Sequence, residues 1–99
     1  TSKKDLVEEF GFDLLIDEDT IVRSTTIRAM ASRKVPGWVN VMYRSLLDDD
    51  YVIQRAAMDG LLGDRTEGVR TLQKFVSENP KNRISAMALA ELRARGVRP

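Results

Sequence analysis

The sequence predicts an all-α fold: a short right-handed α-solenoid, or α-α superhelix, of six antiparallel helices with a 31-residue repeat. Three observations carry that reading. Residues 48–62, DDDYVIQRAAMDGLL, open with three acidic residues and continue as an amphipathic run with Val52, Ile53, Ala56, Ala57, Gly60 and Leu61 at helical spacing. The same run stands thirty-one residues earlier as 17–31, DEDTIVRSTTIRAMA, and thirty-one later as 79–93, NPKNRISAMALAELR. Aligned in this register, its apolar columns are Val22, Ile53, Ile84, then Ile27, Met58, Leu89, then Met30, Leu61, Leu92. A second class of helix keeps the same offset, with Val7, Trp38, Val69 in one column and Phe10, Val41, Leu72 in another. A period that covers two helices defines a helix pair as the repeating unit. Such a pair cannot bury its apolar stripe alone and gains stability by stacking.

The elements follow in order. Residues 3–15 read as a helix with Leu6, Val7, Phe10, Leu14 and Leu15 inward, weakened at Gly11 by roughly 1 kcal/mol relative to Ala. It aligns with the second helices of later pairs, so the chain is expected to begin halfway through a repeat. Asp17 or Asp19 caps the next helix, where an acidic group satisfies free amides and suits the dipole. That helix runs to about Ser32 with Val22, Thr25, Thr26, Ala29 and Met30 inward. The break at 33–37, RKVPG, leads into a helix over 36–47, with Pro36 in its first turn and Trp38, Val41, Met42, Ser45 and Leu46 buried. Asp48, Asp49 and Asp50 then cap the helix 50–62. Consecutive Asp does not supply the alternating ligands, glycine and final Glu of a calcium loop, so the cap is the reading adopted.

Gly63 is placed to take the left-handed conformation that ends this helix. Residues 66–77 form the next, burying Val69, Leu72, Val76 and part of Phe75. After the turn at 78–81, the last helix covers 81–95 with Ile84, Met87, Ala88 and Leu92 inward and stops at Gly96, leaving Val97, Arg98 and Pro99 as a frayed tail. The whole chain, 1–99, is one domain: a lone second helix at 3–15, repeats at 19–47 and 50–77, and the first helix of a last repeat at 81–95. Of its four methionines, all but Met42 are expected on inward columns, and Trp38 is expected to plug the gap between repeats.

Composition narrows the function classes. The chain has 42% apolar and 31% charged residues, which suits a soluble helical domain. No apolar run approaches the ~20 residues of a membrane span, so no membrane insertion is expected. No leader pattern opens the chain, but it starts at Thr1 and so reads as processed or excised, which leaves the compartment open, with cytoplasmic only as the default. With no His and no Cys, a Ser-His-Asp site, a Cys-His site and a soft-ligand zinc site are excluded. Phosphate-binding and dinucleotide-binding glycine motifs are absent too. The expectation is a protein that is not an enzyme and takes no cofactor, metal or small-molecule substrate. Charge is unevenly spread: residues 1–20 carry a net −5 and residues 81–99 a net +4, a polarity able to steer a partner.

The run Asp19-Thr20-Ile21-Val22-Arg23 followed by Ala29-Met30, with Asp50-Tyr51-Val52-Ile53-Gln54, Ala56-Ala57 and Leu61 one period later, resembles the first-helix signature of HEAT-like repeats. The likeness is to the short type also seen in phycobilisome lyases and extends from Leu6 to near the chain's end. The third copy keeps Ile84, Ala88 and Leu92. Two departures stand out: Gln54 and Ser85 take the column of Arg23, and the acidic column Asp19, Asp50 ends in Lys81. The 31-residue period differs from the 34 residues of tetratricopeptide repeats.

The resemblance implies a scaffold for protein–protein interaction that binds along the concave face lined by its second helices. In this register the solvent side of those helices carries Phe12, Tyr43 and Lys74, with Glu9 and Asn40 beside them and Arg44 and Arg70 as flanking cations. Glu9, Phe12, Asn40, Tyr43, Arg44, Arg70 and Lys74 are therefore the candidate partner-binding residues. An aromatic residue flanked by Arg is a common hot-spot composition. The alternative for Tyr43 is a ring that only covers core, and for Phe12 a contact with a missing first helix. The partner is a separate protein or the remainder of a longer parent chain, for instance one in which this is a helical accessory domain of a larger enzyme such as a zinc aminopeptidase. Nucleic acid is a further alternative, through Arg44, Arg70, Lys74, Arg33 and Lys34, but Glu8 and Glu9 on the same surface and a pI near 8.0 oppose it.

Overall fold

Helix starts set the architecture. The computed structural model describes residues 14–98, in which five α-helices follow one another: α1 (Thr20–Arg33), α2 (Trp38–Leu46), α3 (Tyr51–Leu62), α4 (Glu67–Glu78) and α5 (Arg83–Ala94). No strand occurs among the described residues, and the fold is all-α. The expected first helix, 3–15, lies outside them except for Leu14 and Leu15, which are helical.

Asp19 caps α1 by accepting from the Ile21 amide at 2.8 Å, and Asp17 in turn accepts from the Asp19 amide at 2.8 Å. Thirty-one residues on, Asp50 accepts from the Val52 amide and Asp48 from the Asp50 amide, each at 2.8 Å. In the acidic run before α3, then, Asp50 takes an amide the helix cannot satisfy itself and Asp48 takes the Asp50 amide, so two of the three expected carboxylates build the cap. The α5 cap is Asn82, whose Oδ1 accepts from Ile84 at 3.0 Å. Lys81 lies one residue outside it, so the cap has slipped by one position from the acidic column, to the nearest side chain able to accept.

α3 is the hub, packing on all four other helices. α1 lies against α3, α3 against α5, and α2 against α4, besides the contacts between sequence neighbours. The core they enclose includes Ile27, Met30, Trp38, Met42, Leu46, Ile53, Met58, Leu61, Leu72, Phe75, Ile84 and Leu92. Large aliphatic side chains buried this fully contribute roughly 1.5–3 kcal/mol each. Two of the three apolar columns read from the sequence end differently, with Val22 and Leu89 only half-buried at the outermost copies. Met42 is fully buried, as expected for its helix although it stands off the aligned columns, whereas Met87, expected inward, is half-buried. Phe75 is completely covered, Thr25 faces solvent, and Val52 is 49% exposed.

The connections correct three expectations. Between α1 and α2 it is Lys34 that takes the left-handed conformation, at φ 49°, with Val35 N–H donating to Met30 O and Lys34 N–H to Ala31 O. This is a Schellman closure, and the burial of Val35 completes it. Gly37 at φ 79° then occupies the α2 N-cap, which puts Pro36 before the helix rather than inside it. Gly63 is right-handed, at φ −72°. The reversal there is made by Asp64, whose Oδ2 accepts from the Gly68 amide at 2.8 Å and whose carbonyl accepts from Val69. The tail is not frayed at Val97 and Arg98. Gly96, at φ 73°, closes a second Schellman turn through Val97 N–H to Leu92 O at 2.8 Å, Val97 packs on the core, and the Gln73 amide donates to Arg98 O.

Candidate functional site

The second helices α2 and α4 leave a groove between them of about 620 Å³, lined by Val39, Asn40, Tyr43, Arg44, Glu67, Thr71, Lys74 and Glu78. Helical spacing explains the lining. On α4 the positions 67, 71, 74 and 78 recur every three or four residues, one stripe along a helix. On α2 Val39, Asn40, Tyr43 and Arg44 make the matching stripe.

Of the residues singled out from the sequence, Asn40, Tyr43, Arg44 and Lys74 come together here. Arg70 is exposed on α4 but outside the lining. Glu9 and Phe12 lie outside the described residues. Glu67 and Glu78 belong to the groove and were not singled out. Their signal was present, since each stands four residues from a groove position, Thr71 and Lys74 respectively.

Tyr43 is the best-anchored of these side chains. Its ring meets Phe75 edge-on, with centroids 5.1 Å apart and planes at 72°, a favoured aromatic geometry. Its hydroxyl donates to the Glu78 carboxylate and accepts from the Asn79 amide at 3.1 Å. The hydrogen bond to Glu78 holds the phenol above its usual pKa, with burial adding to the rise. The Lys74 ammonium sits 5.9 Å from the ring centroid, in cation–π range. Tyr43 is thus half-buried and bonded on three sides, a wall of the groove tied to the end of α4. Arg44, Asn40 and Lys74 are exposed beside it.

The two other cations considered for phosphate contact, Arg33 and Lys34, lie outside the groove: Arg33 is the half-buried last residue of α1, and Lys34 reaches over the α1–α3 contact to Asp64 at 3.0 Å. Beside Lys34, Arg28 pairs with Asp59 at 3.0 Å. Asp64 is 9% exposed, and the Gly68 amide and then Lys34 hold its carboxyl below the usual range. Asp50 is lowered too, by the Val52 amide and the Thr20 hydroxyl. These carboxylates are structural: each is saturated by caps and cross-helix contacts.

The column in which Arg23 is replaced has a comparable role. Gln54 is 2% exposed, donates to Leu46 O at 2.6 Å and to Asn82 Oδ1 at 3.0 Å, and accepts from Arg83 Nε at 2.8 Å. Ser85 is buried and donates to Asn79 O at 2.6 Å. Arg23 itself approaches Asp48 at 4.0 Å. All three residues bind the connection between helix pairs, by different chemistry. Among the described residues no cluster of three or more His, Cys, Asp or Glu side chains is arranged to hold a metal ion, and no helix is long and apolar enough to cross a membrane.

Among the described residues, fold and groove together define an all-α domain with a mixed-charge cleft between α2 and α4. Comparison with protein families, with curated proteins and with solved structures gave no match.

Proposed function

We infer that this is a non-catalytic interaction module that binds a protein segment in the α2–α4 groove. The observation that carries the reading is the groove's composition: Asn40, Arg44 and Lys74 are exposed around the fixed ring of Tyr43, in a cleft of about 620 Å³. A fixed aromatic wall with exposed polar and cationic groups suits a peptide-binding surface, because little ordering entropy is lost at the anchor. Glu67 and Glu78 in the same lining argue against a polyanion such as nucleic acid, which would meet two carboxylates there.

The finer architecture belongs to the same proposal. The helices are successive units of a right-handed α-solenoid with a 31-residue period, of the HEAT-like kind, and α2 and α4 line its concave side. The matching Asp17–Asp19 and Asp48–Asp50 turns support this, as do polar contacts that join residues about one period apart: Thr20 to Asp50, Arg28 to Asp59 and Lys34 to Asp64. The partner is another protein or another part of a longer parent chain.

The test is affinity capture with the tagged domain and its Arg44→Glu, Lys74→Glu double variant, read by mass spectrometry. Both side chains are exposed, but Lys74 also stacks on the Tyr43 ring, so the melting temperature of the variant is measured beside that of the wild type. A partner caught by the wild type and lost by the variant supports the groove. Equal capture by both overturns it.

A further inference from the structure

The large apolar side chains most open to solvent among the described residues are Ile16 at 82%, Ile21 at 73%, Leu47 at 50%, Val52 at 49% and Tyr51 at 40%. All five fall in two six-residue stretches, 16–21 and 47–52, one period apart. Ile16 corresponds to Leu47 and Ile21 to Val52. The two stretches lie side by side: the Thr20 hydroxyl donates to Asp50 Oδ2 at 3.0 Å, and Arg23 approaches Asp48. Capping explains the Asp residues at 17, 19, 48 and 50. It does not explain apolar side chains directed to water at the second helical position of both α1 and α3, nor at the residue before each acidic turn.

The two stretches also carry six acidic residues and no basic one. Four of those carboxylates each accept from a backbone amide with one oxygen, which leaves them poorly arranged to enclose a cation. The edge is therefore apolar and net anionic at once, with Arg23 near Asp48 and Arg83 over the Tyr51 ring at its margin. An apolar group clustered on a surface marks a contact site, and the charge around it selects the partner. An anionic membrane surface or nucleic acid would be repelled. A purely apolar partner would leave the carboxylates facing a desolvated surface, at a cost.

We propose that this loop edge, separate from the α2–α4 groove, docks a cationic amphipathic segment of a partner protein, with Lys or Arg opposite the Asp-rich turns and apolar side chains over Ile21, Val52 and Leu47. Binding depends on both components, so neither charge nor apolar area alone reproduces it.

The test uses fluorescence anisotropy of the full chain with two labelled peptides, one of Lys and Leu at helical amphipathic spacing and one with Ser in place of every Leu. The Lys–Leu peptide binds at least about tenfold more tightly, and the Ile21→Ser, Val52→Ser double variant loses about tenfold while its melting curve is unchanged. Leu47→Ser, at a position outside any helix, weakens binding in the same direction and guards against a helix-start effect of the first variant. Binding also falls as salt rises. Equal affinity for the two peptides reduces the edge to charge alone and overturns the proposal, as does undiminished binding by the Ser variants or no binding at all. If sedimentation shows that the free chain self-associates and that the Ser variants abolish this, the edge belongs to a second copy and the proposal fails.

Discussion

Gly60 on α3 faces Ala31 on α1 so closely that a Cβ built on Gly60 stands 2.7 Å from the Ala31 Cβ and 3.2 Å from Met42 Sδ. The two helices meet there with no room for a methyl group. Gly60→Ala is therefore destabilising by about 1–3 kcal/mol from overpacking, against a helix-propensity gain of about 1 kcal/mol. Gly60→Val is worse. The Ala31→Gly change restores space, so a double-mutant cycle in urea gives a favourable coupling of about 1 kcal/mol or more. A coupling near zero would mean that the helices do not meet at this point.

Gly68 is constrained more severely. A Cβ there meets the Leu61 carbonyl oxygen at 2.3 Å, and a backbone atom cannot rotate away. Gly68→Ala must push the start of α4 from the end of α3, breaking the Asp64 hydrogen bond to the Gly68 amide. The expected loss is more than about 2 kcal/mol in denaturant unfolding.

The pH dependence of stability follows from Asp50 and Asp64. Both carboxyls are lowered in the fold, mainly by backbone amides, with the Thr20 hydroxyl helping at Asp50 and Lys34 at Asp64. Their stabilisation is complete above the unfolded carboxyl pKa of about 3.9 and is lost as pH falls through the lower folded values. The melting temperature is expected to be flat from pH 7 to about pH 5 on their account and to fall below about pH 4. Asp64→Asn lowers stability at pH 7 and makes the acid slope shallower. An unchanged slope would show that Asp64 has the same pKa folded and unfolded.

Tyr43 separates wall from contact. Tyr43→Phe keeps the ring on Phe75 and removes the bonds to Glu78 and Asn79, for a cost of about 0.5–1.5 kcal/mol. Tyr43→Ala also removes the edge-on packing and costs about 2–3 kcal/mol, since the ring is half-buried. Thermal unfolding of the two variants distinguishes these contributions. Loss of partner capture in Tyr43→Ala therefore has to be judged beside Tyr43→Phe, which leaves the groove's shape intact.

Much of the helical order was legible because it rests on period. Ile53, Leu61, Ile84 and Leu92 recur at helical spacing, and Asp19 and Asp50 are strong caps, so existence and approximate bounds of α1 to α5 followed. What failed to show was set by tertiary contacts. Val52, read as inward from its spacing, is 49% exposed, and Val22 and Leu89 are only half-buried because the outermost copies lack a neighbour on one side among the described residues. Lys34 adopts a left-handed conformation that residue preferences assign to Gly, because the burial of Val35 and the Asp64 pair fix it there. Gly63 looked like a terminator by type, yet the Asp64 side chain does that work. In the groove, Asn40, Tyr43, Arg44 and Lys74 were readable from one helix face, whereas Arg70 falls just off the stripe and Tyr43 is fastened by Phe75, Glu78 and Asn79, more than thirty residues away in sequence.

Site-specific photo-cross-linking tests the interaction account most directly. A photoreactive amino acid replaces Asn40 inside the groove or, as a control, the exposed Ala86 on α5, and both proteins are irradiated with the partner obtained by affinity capture. A partner held in the groove gives an adduct from position 40 and none from position 86. Adducts of equal yield from both positions, or from position 86 alone, would contradict it.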